Sequence, residues 1–253
     1  MGPYALPAEA YAAGLVFVRV GAILMLIPGI GEGVVPPRIR LSFALILSLA
    51  LTPVVSASLP PLPATVGDMA AQVIKEALIG LMIGGLLRLF LASLAVAGEV
   101  VSLQTTLSFA QITNPAEAQP GTALAAFLSL MGVVLIFAAD LHHLFIAAVA
   151  GSYALFAPAK PLLVGDAAAL AGSTVAQAFA LGLQLAAPVV VFSLLVNVAA
   201  GLIGRVMPAF QVFFAATPVM VLGGLAVFAL SLGVLGLVWL DRYEVVVRRF
   251  AGG

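Results

Sequence analysis

The chain has 253 residues, 64% of them hydrophobic and 8% charged, with a mean hydropathy of +1.26. Soluble domains carry about 25% charged residues, so a water-solvated globule is excluded and the chain reads as an integral membrane protein. Ten basic residues balance ten acidic ones and cysteine is absent, which excludes the basic surface that nucleic acid requires, a disulfide framework and a cysteine metal site.

A helix needs about 20 apolar residues to cross the hydrocarbon core. No Lys or Arg precedes Arg19, so a cleaved secretory signal is not expected and the first apolar segment is expected to be kept. That segment covers residues 8–28, ends at Pro28 and contains Arg19. Residues 29–40 form a loop with Gly29, Gly31, Gly33, Pro36-Pro37, Arg38 and Arg40. No strand precedes these glycines, so they read as an interhelical connection rather than a phosphate loop. A second, uncharged segment covers 41–59, and Pro60-Pro61 with Pro63 makes a stiff turn. The third segment, 66–103, is too long for one upright crossing and should tilt, bend or protrude. Its Gly80-x-x-x-Gly84 pattern allows a close helix contact.

The stretch from Gly98 to Gly121 is the longest polar run, with Gln104, Thr105, Thr106, Ser108, Gln111, Thr113, Asn114 and Gln119. Lipid does not tolerate polar groups without partners. This run must leave the membrane or line a wet, protein-walled space, and the second is the expectation. Phe109 sits within it as an interfacial anchor or as a hydrophobic constriction; composition alone favours the anchor.

A fourth segment, 121–157, is split by Asp140-Leu141-His142-His143, and a loop over 158–166 follows. Residues 167–204 carry no charge, and Pro188 is expected to kink or break that region. Arg205 and Pro208 precede another uncharged run to Leu240, and residues 241–250 form a short, amphipathic, basic tail. The positive-inside rule places that tail and the Arg38/Arg40 loop in the cytoplasm and the N-terminus outside. Such an arrangement needs an odd number of crossings, whereas six apolar blocks are visible, a conflict that points to unusual topology.

No catalytic constellation is present. His142 and His143 are consecutive, hence about 100° apart on a helix and unable to share a metal as an i, i+4 pair does. Asp140 with either histidine could bind metal or relay protons; hydrogen-bonded polar groups at a helix end are the preferred reading, and no metal or cofactor is expected. Arg19, Arg88, Glu99 and Arg205 are charges embedded in apolar sequence, which mark functional sites or packing pairs. Arg88 suits an interface position.

Four patches carry a family resemblance. The first is Arg19-Val20, Pro28, Glu32, Pro36, Arg38-Ile39-Arg40-Leu41 and Pro53. The second is Ala97-Gly98-Glu99, Leu103-Gln104, Leu107-Ser108-Phe109-Ala110 and Pro115. The third is Asp140, His142, Leu144 and Ile146; the fourth is Pro188, Asn197, Gly201-Leu202, Arg205, Pro208 and Pro218. In this order, on a chain of this length, they resemble the FliR family of flagellar export-gate proteins and its injectisome relatives. The family usually has Asp where this chain has Asn114, Gly where it has Thr106, Gly-His where it has Leu141-His142, and Gln where it has Ala209.

The resemblance implies an all-α membrane protein of long kinked helices and hairpins: a FliP-like part over about residues 1–185 joined to a FliQ-like hairpin and basic tail over about 186–253. It implies a non-enzymatic pore subunit of an inner-membrane type III export gate, assembled with FliP and FliQ homologues and working with FlhA and FlhB homologues. Unfolded proteins are its cargo. A loop over 104–120 is implied as a plug, with Gln104, Leu107, Ser108, Phe109, Ala110, Asn114 and Pro115 forming it and Phe109 as the constriction. Arg19, Glu99, Asp140, His142, Asn197, Arg205 and Pro208 are the implied intramembrane charge or packing positions. A virulence homologue is the alternative and a stand-alone secondary transporter the remote one; the latter would need a midplane ion site and repeats, which the sequence does not display.

Overall fold

A computed structural model describes residues 5–31, 35–108, 121–160, 164–207 and 211–251. Most of these residues are helical, with no strand among them. Among the described residues seven α-helices follow one another: α1 (Ala5–Leu26), α2 (Pro37–Val55), α3 (Val66–Gln104), α4 (Ala123–Ala138), α5 (Leu141–Leu155), α6 (Val164–Val206) and α7 (Val212–Ala251). Five helices are long and apolar enough to cross a membrane. The chain is an all-α membrane protein. α4 and α5, bent by 80° at their junction, would make a sixth span only if taken together.

Several boundaries differ from the sequence-based expectation for local reasons. α2 begins at Pro37 rather than after Arg40, because proline at the first helical position lacks only an N–H that would have no intrahelical partner, and its φ is already helical. α6 runs unbroken through Pro188 for 43 residues, since its apolar neighbours hold a helix that loses one ladder bond. α3, α6 and α7, at 39, 43 and 40 residues, are each about twice the length of an upright crossing.

The chain divides into two compact units. The first comprises Met1–Phe90, Phe137–Val175 and Tyr243–Gly253. Its centre is Arg19, fully buried on α1. Arg19 Nε donates to Glu76 Oε2 at 2.6 Å and Nη2 to Glu76 Oε1 at 3.1 Å. The remaining donors turn to carbonyls in and just past the last turn of α5, where that of Ser152 also accepts the Phe156 N–H at 2.9 Å. Nη1 donates to the Ser152 carbonyl at 3.0 Å and Nη2 to that of Phe156 at 2.8 Å. The guanidinium lies 4.1 Å from the centroid of the Tyr153 ring. Lys75, beside Glu76, donates to the carbonyls of Pro158 and Lys160. Arg19 from α1 thus caps the end of α5, as its dipole favours, while Lys75 from α3 holds the turn that follows it.

Glu76, Gly80 and Gly84 recur every fourth residue along α3 and face α1. A side chain at Gly80 would meet the Arg19 carbonyl at 2.6 Å and the Ala22 Cβ at 2.7 Å; one at Gly84 would meet the Ile23 carbonyl at 2.9 Å. The glycine pair therefore sets the approach that brings Glu76 to Arg19. The basic tail completes this unit as the end of α7. Tyr243, Val246, Val247 and Phe250 are buried on one face while Arg242, Arg248 and Arg249 are exposed. Tyr243 packs against Phe145 and Phe90 at 6.2 and 6.0 Å between ring centroids.

The second unit comprises Leu91–Ile136 and Ala176–Arg242. Trp239, fully buried, donates its indole N–H to Ser93 Oγ at 3.1 Å. Gly132 and Gly182 bring α4 and α6 onto α3 and α7: a Cβ at Gly132 would strike Leu94 and Leu91, and one at Gly182 would meet the Ser93 carbonyl at 2.8 Å.

Removing one partner of a buried ion pair leaves the other charge bare and costs about 3–5 kcal/mol. Arg19→Ala and Glu76→Ala should each lower the thermal unfolding temperature in detergent strongly. The double substitution Arg19→Met/Glu76→Met should recover most of that loss but not all, because the α5 carbonyls lose their donors. A double variant as unstable as the single ones would show that the pair itself is not the dominant interaction.

Candidate functional site

The polar run is held at its stem, where α3 ends and α4 begins. Four of the seven residues expected to form the plug, Phe109, Ala110, Asn114 and Pro115, lie outside the described residues, as does Pro208. The other three, Gln104, Leu107 and Ser108, are half-buried at the end of α3.

α3 stops because the chain turns left-handed at Thr106, with φ 61°. Left-handed backbone crowds the Cβ of any residue but glycine. Thr105 just before it is buried, its Oγ1 donating back to the Val101 carbonyl at 2.8 Å. Its methyl fills the space over Gly224 of α7, where a Cβ would come within 2.5 Å. Ser108 N–H returns to the Ser102 carbonyl at 3.3 Å.

On the other side of the run, Gly121 takes φ 98°. Thr122 then caps α4, its Oγ1 accepting the Ala125 N–H at 3.3 Å. Glu99, one turn before the end of α3, places Oε1 2.7 Å from the Thr122 N–H. The carboxylate thereby satisfies a free donor at the start of α4 and sits at the positive end of its dipole. Gly98 makes the approach possible, since a Cβ there would run into the Ala125 backbone. One charge–backbone contact thus joins the two ends of a 17-residue run that lies between Gln104 and Thr122.

The remaining candidates are dispersed. Arg19 belongs to the buried node of the first unit. Asn197 and Arg205 are exposed on α6, and Arg205 has no ion pair among the described residues. Arg88 is exposed on α3. Asp140 takes a left-handed φ of 55° at the start of α5. His142 and His143 do not diverge as consecutive positions within a helix would suggest. In this first turn their rings stand 4.1 Å apart between centroids. Sequence reading missed Glu76, Lys75, Thr122 and Ser152. The available signal for Glu76 was its spacing of four from Gly80 and eight from Gly84.

Two outcomes follow for the stem. Glu99→Ala should raise amide hydrogen exchange at Thr122 and Ala123, with a loss of about 1 kcal/mol for one partly exposed charge-assisted bond. Glu99→Gln should stay near the parent, because its amide oxygen still accepts. Thr106→Gly removes left-handed strain of about 1–2 kcal/mol and adds about 0.5–1 kcal/mol of backbone entropy cost. A small gain in melting temperature is expected; a loss would show that the threonine side chain outweighs the strain.

The family model for bacterial export proteins, family 1, matches residues 10–245. The chain is 55% identical over 250 residues to the flagellar biosynthetic protein FliR of Caulobacter vibrioides, covering 99% of this chain and 100% of that protein. It is 29% identical over 217 residues to FliR of Escherichia coli, covering 84% and 80% of the two chains. With FliR of Pectobacterium carotovorum it shares 28% over 219 residues, covering 85% and 82%. The chain belongs to the FliR family of bacterial flagellar export proteins.

Proposed function

We propose that this chain is a non-enzymatic, pore-lining subunit of the flagellar export gate in the bacterial inner membrane, and that residues 104–120 form its plug. The observation that carries this reading is the stem. Glu99 on α3 holds the start of α4 through the Thr122 N–H, so the two flanks of the polar run stand together on two apolar helices. A loop of amide and hydroxyl side chains on such a base suits a wet conduit better than lipid. Phe109 is its constriction, and Ser108, Ala110, Asn114 and Pro115 shape the remainder.

FliP and FliQ homologues supply the rest of the wall, with FlhA and FlhB homologues on the cytoplasmic side and unfolded flagellar proteins as cargo. Residues 1–185 are the FliP-like part and 186–253 the FliQ-like hairpin. The N-terminus lies outside and the tail in the cytoplasm. Five long apolar helices among the described residues are compatible with the odd number of crossings this needs, provided the bent α4–α5 pair does not cross as a sixth. The flagellar names of the relatives favour the flagellar system over the virulence one.

Deleting residues 106–119 from the chain in a reconstituted gate should raise ion conductance well above that of the intact gate, while particle assembly with the partner subunits is retained. Unchanged conductance through an assembled particle would overturn the plug role. Failure to co-purify with FliP-like and FliQ-like subunits would overturn the gate reading.

A further inference from the structure

Asp140, His142 and His143 present one ligand atom each, and these three atoms lie within 4.8 Å of one another. The turn between α4 and α5 creates this convergence. Left-handed backbone at Asp140 starts α5 so that the carboxylate and both imidazoles of its first turn gather on one side.

Two features separate the cluster from an ordinary helix start. An aspartate at this position normally accepts an N–H of the first turn, but the Asp140 side chain makes no capping bond. Its carboxylate is exposed and makes no hydrogen bond or ion pair among the described residues. His142 is also unspent: Nδ1 is shielded from solvent and has no hydrogen-bond partner among the described residues. The ring is held against Phe137, with 5.6 Å between centroids. It also borders an apolar cavity of about 230 Å³ walled by Leu24, Ile27, Phe43 and Phe145. Aromatic packing fixes one ligand, while Asp140 and His143 are exposed and free to adjust.

We propose that Asp140, His142 and His143 bind a divalent cation of borderline softness, zinc above all. Two imidazoles and one carboxylate are a zinc donor set, with bonds of about 2.0–2.2 Å. Ligand atoms around a tetrahedral ion of that size stand about 3.4 Å apart, so the cluster closes by rotamer shifts of the two exposed side chains. Water or a neighbouring subunit fills the fourth position. The bound ion ties Asp140 to the first turn of α5 and stiffens the turn at this bend.

The test uses the full-length, tag-free chain in detergent, titrated with Co²⁺ and then with Zn²⁺. A visible absorption band saturating at one Co²⁺ per chain and bleached by Zn²⁺ is expected, together with a rise in melting temperature that EDTA reverses. Asp140→Asn and His143→Ala, both at exposed positions, should each weaken binding by about 10-fold or more, with metal-free melting temperatures near the parent's. His142→Phe keeps the aromatic packing and should abolish the band. No saturable binding below about 100 µM, or binding that survives these three substitutions, would overturn the site. The readout is independent of export and of the plug.

Discussion

Arg19 sits at zero exposure in an apolar unit, and a guanidinium in that position must have every donor occupied or the unit does not close. The rest of the first unit follows from how this is done. Glu76 neutralises the charge from α3, which requires α3 to approach α1 at backbone distance, which in turn requires glycine at 80 and 84. The spare N–H groups then find carbonyls at the end of α5. Three helices far apart in the chain are tied by one side chain.

The same rule operates in the second unit with a different result. Glu99 has one bond among the described residues, to a backbone N–H, and is half-buried. Arg19 is desolvated and saturated, a lock with no reason to open. Glu99 retains contact with solvent and closes a loop stem through a single bond worth about as much as one charge-assisted hydrogen bond. Of the two embedded charges, Glu99 is the one whose partner can be exchanged without exposing a bare ion to hydrocarbon.

Much of this was legible in the sequence. The five long spans, the extended α3 and the two-faced tail follow from apolar run length and from spacings of three and four. Arg19 and Glu99 stood out as charges without polar neighbours. Glu76 did not, because its partner lies 57 residues away and the neighbouring Lys75 makes the pair look like an ordinary solvated face. The closeness of the two histidine rings, 4.1 Å between centroids, was not legible, because a 100° step between helix positions does not fix where flexible side chains end. Pro188 does not break α6, since one missing ladder bond does not end a 43-residue helix.

Thr106 shows how the family pattern and the geometry explain each other. A glycine there has a reason once the chain is seen to turn left-handed at that residue. Threonine in its place accepts strain directly after Thr105, whose methyl is packed over Gly224. Leaving the turn would lift Thr105 out of a closely fitted seat on α7. The strain at 106 is thus sustained by the packing at 105, and the same packing fixes where α3 ends. With Glu99 holding the start of α4 one helical turn earlier, both strands of the stem are defined by contacts within one unit.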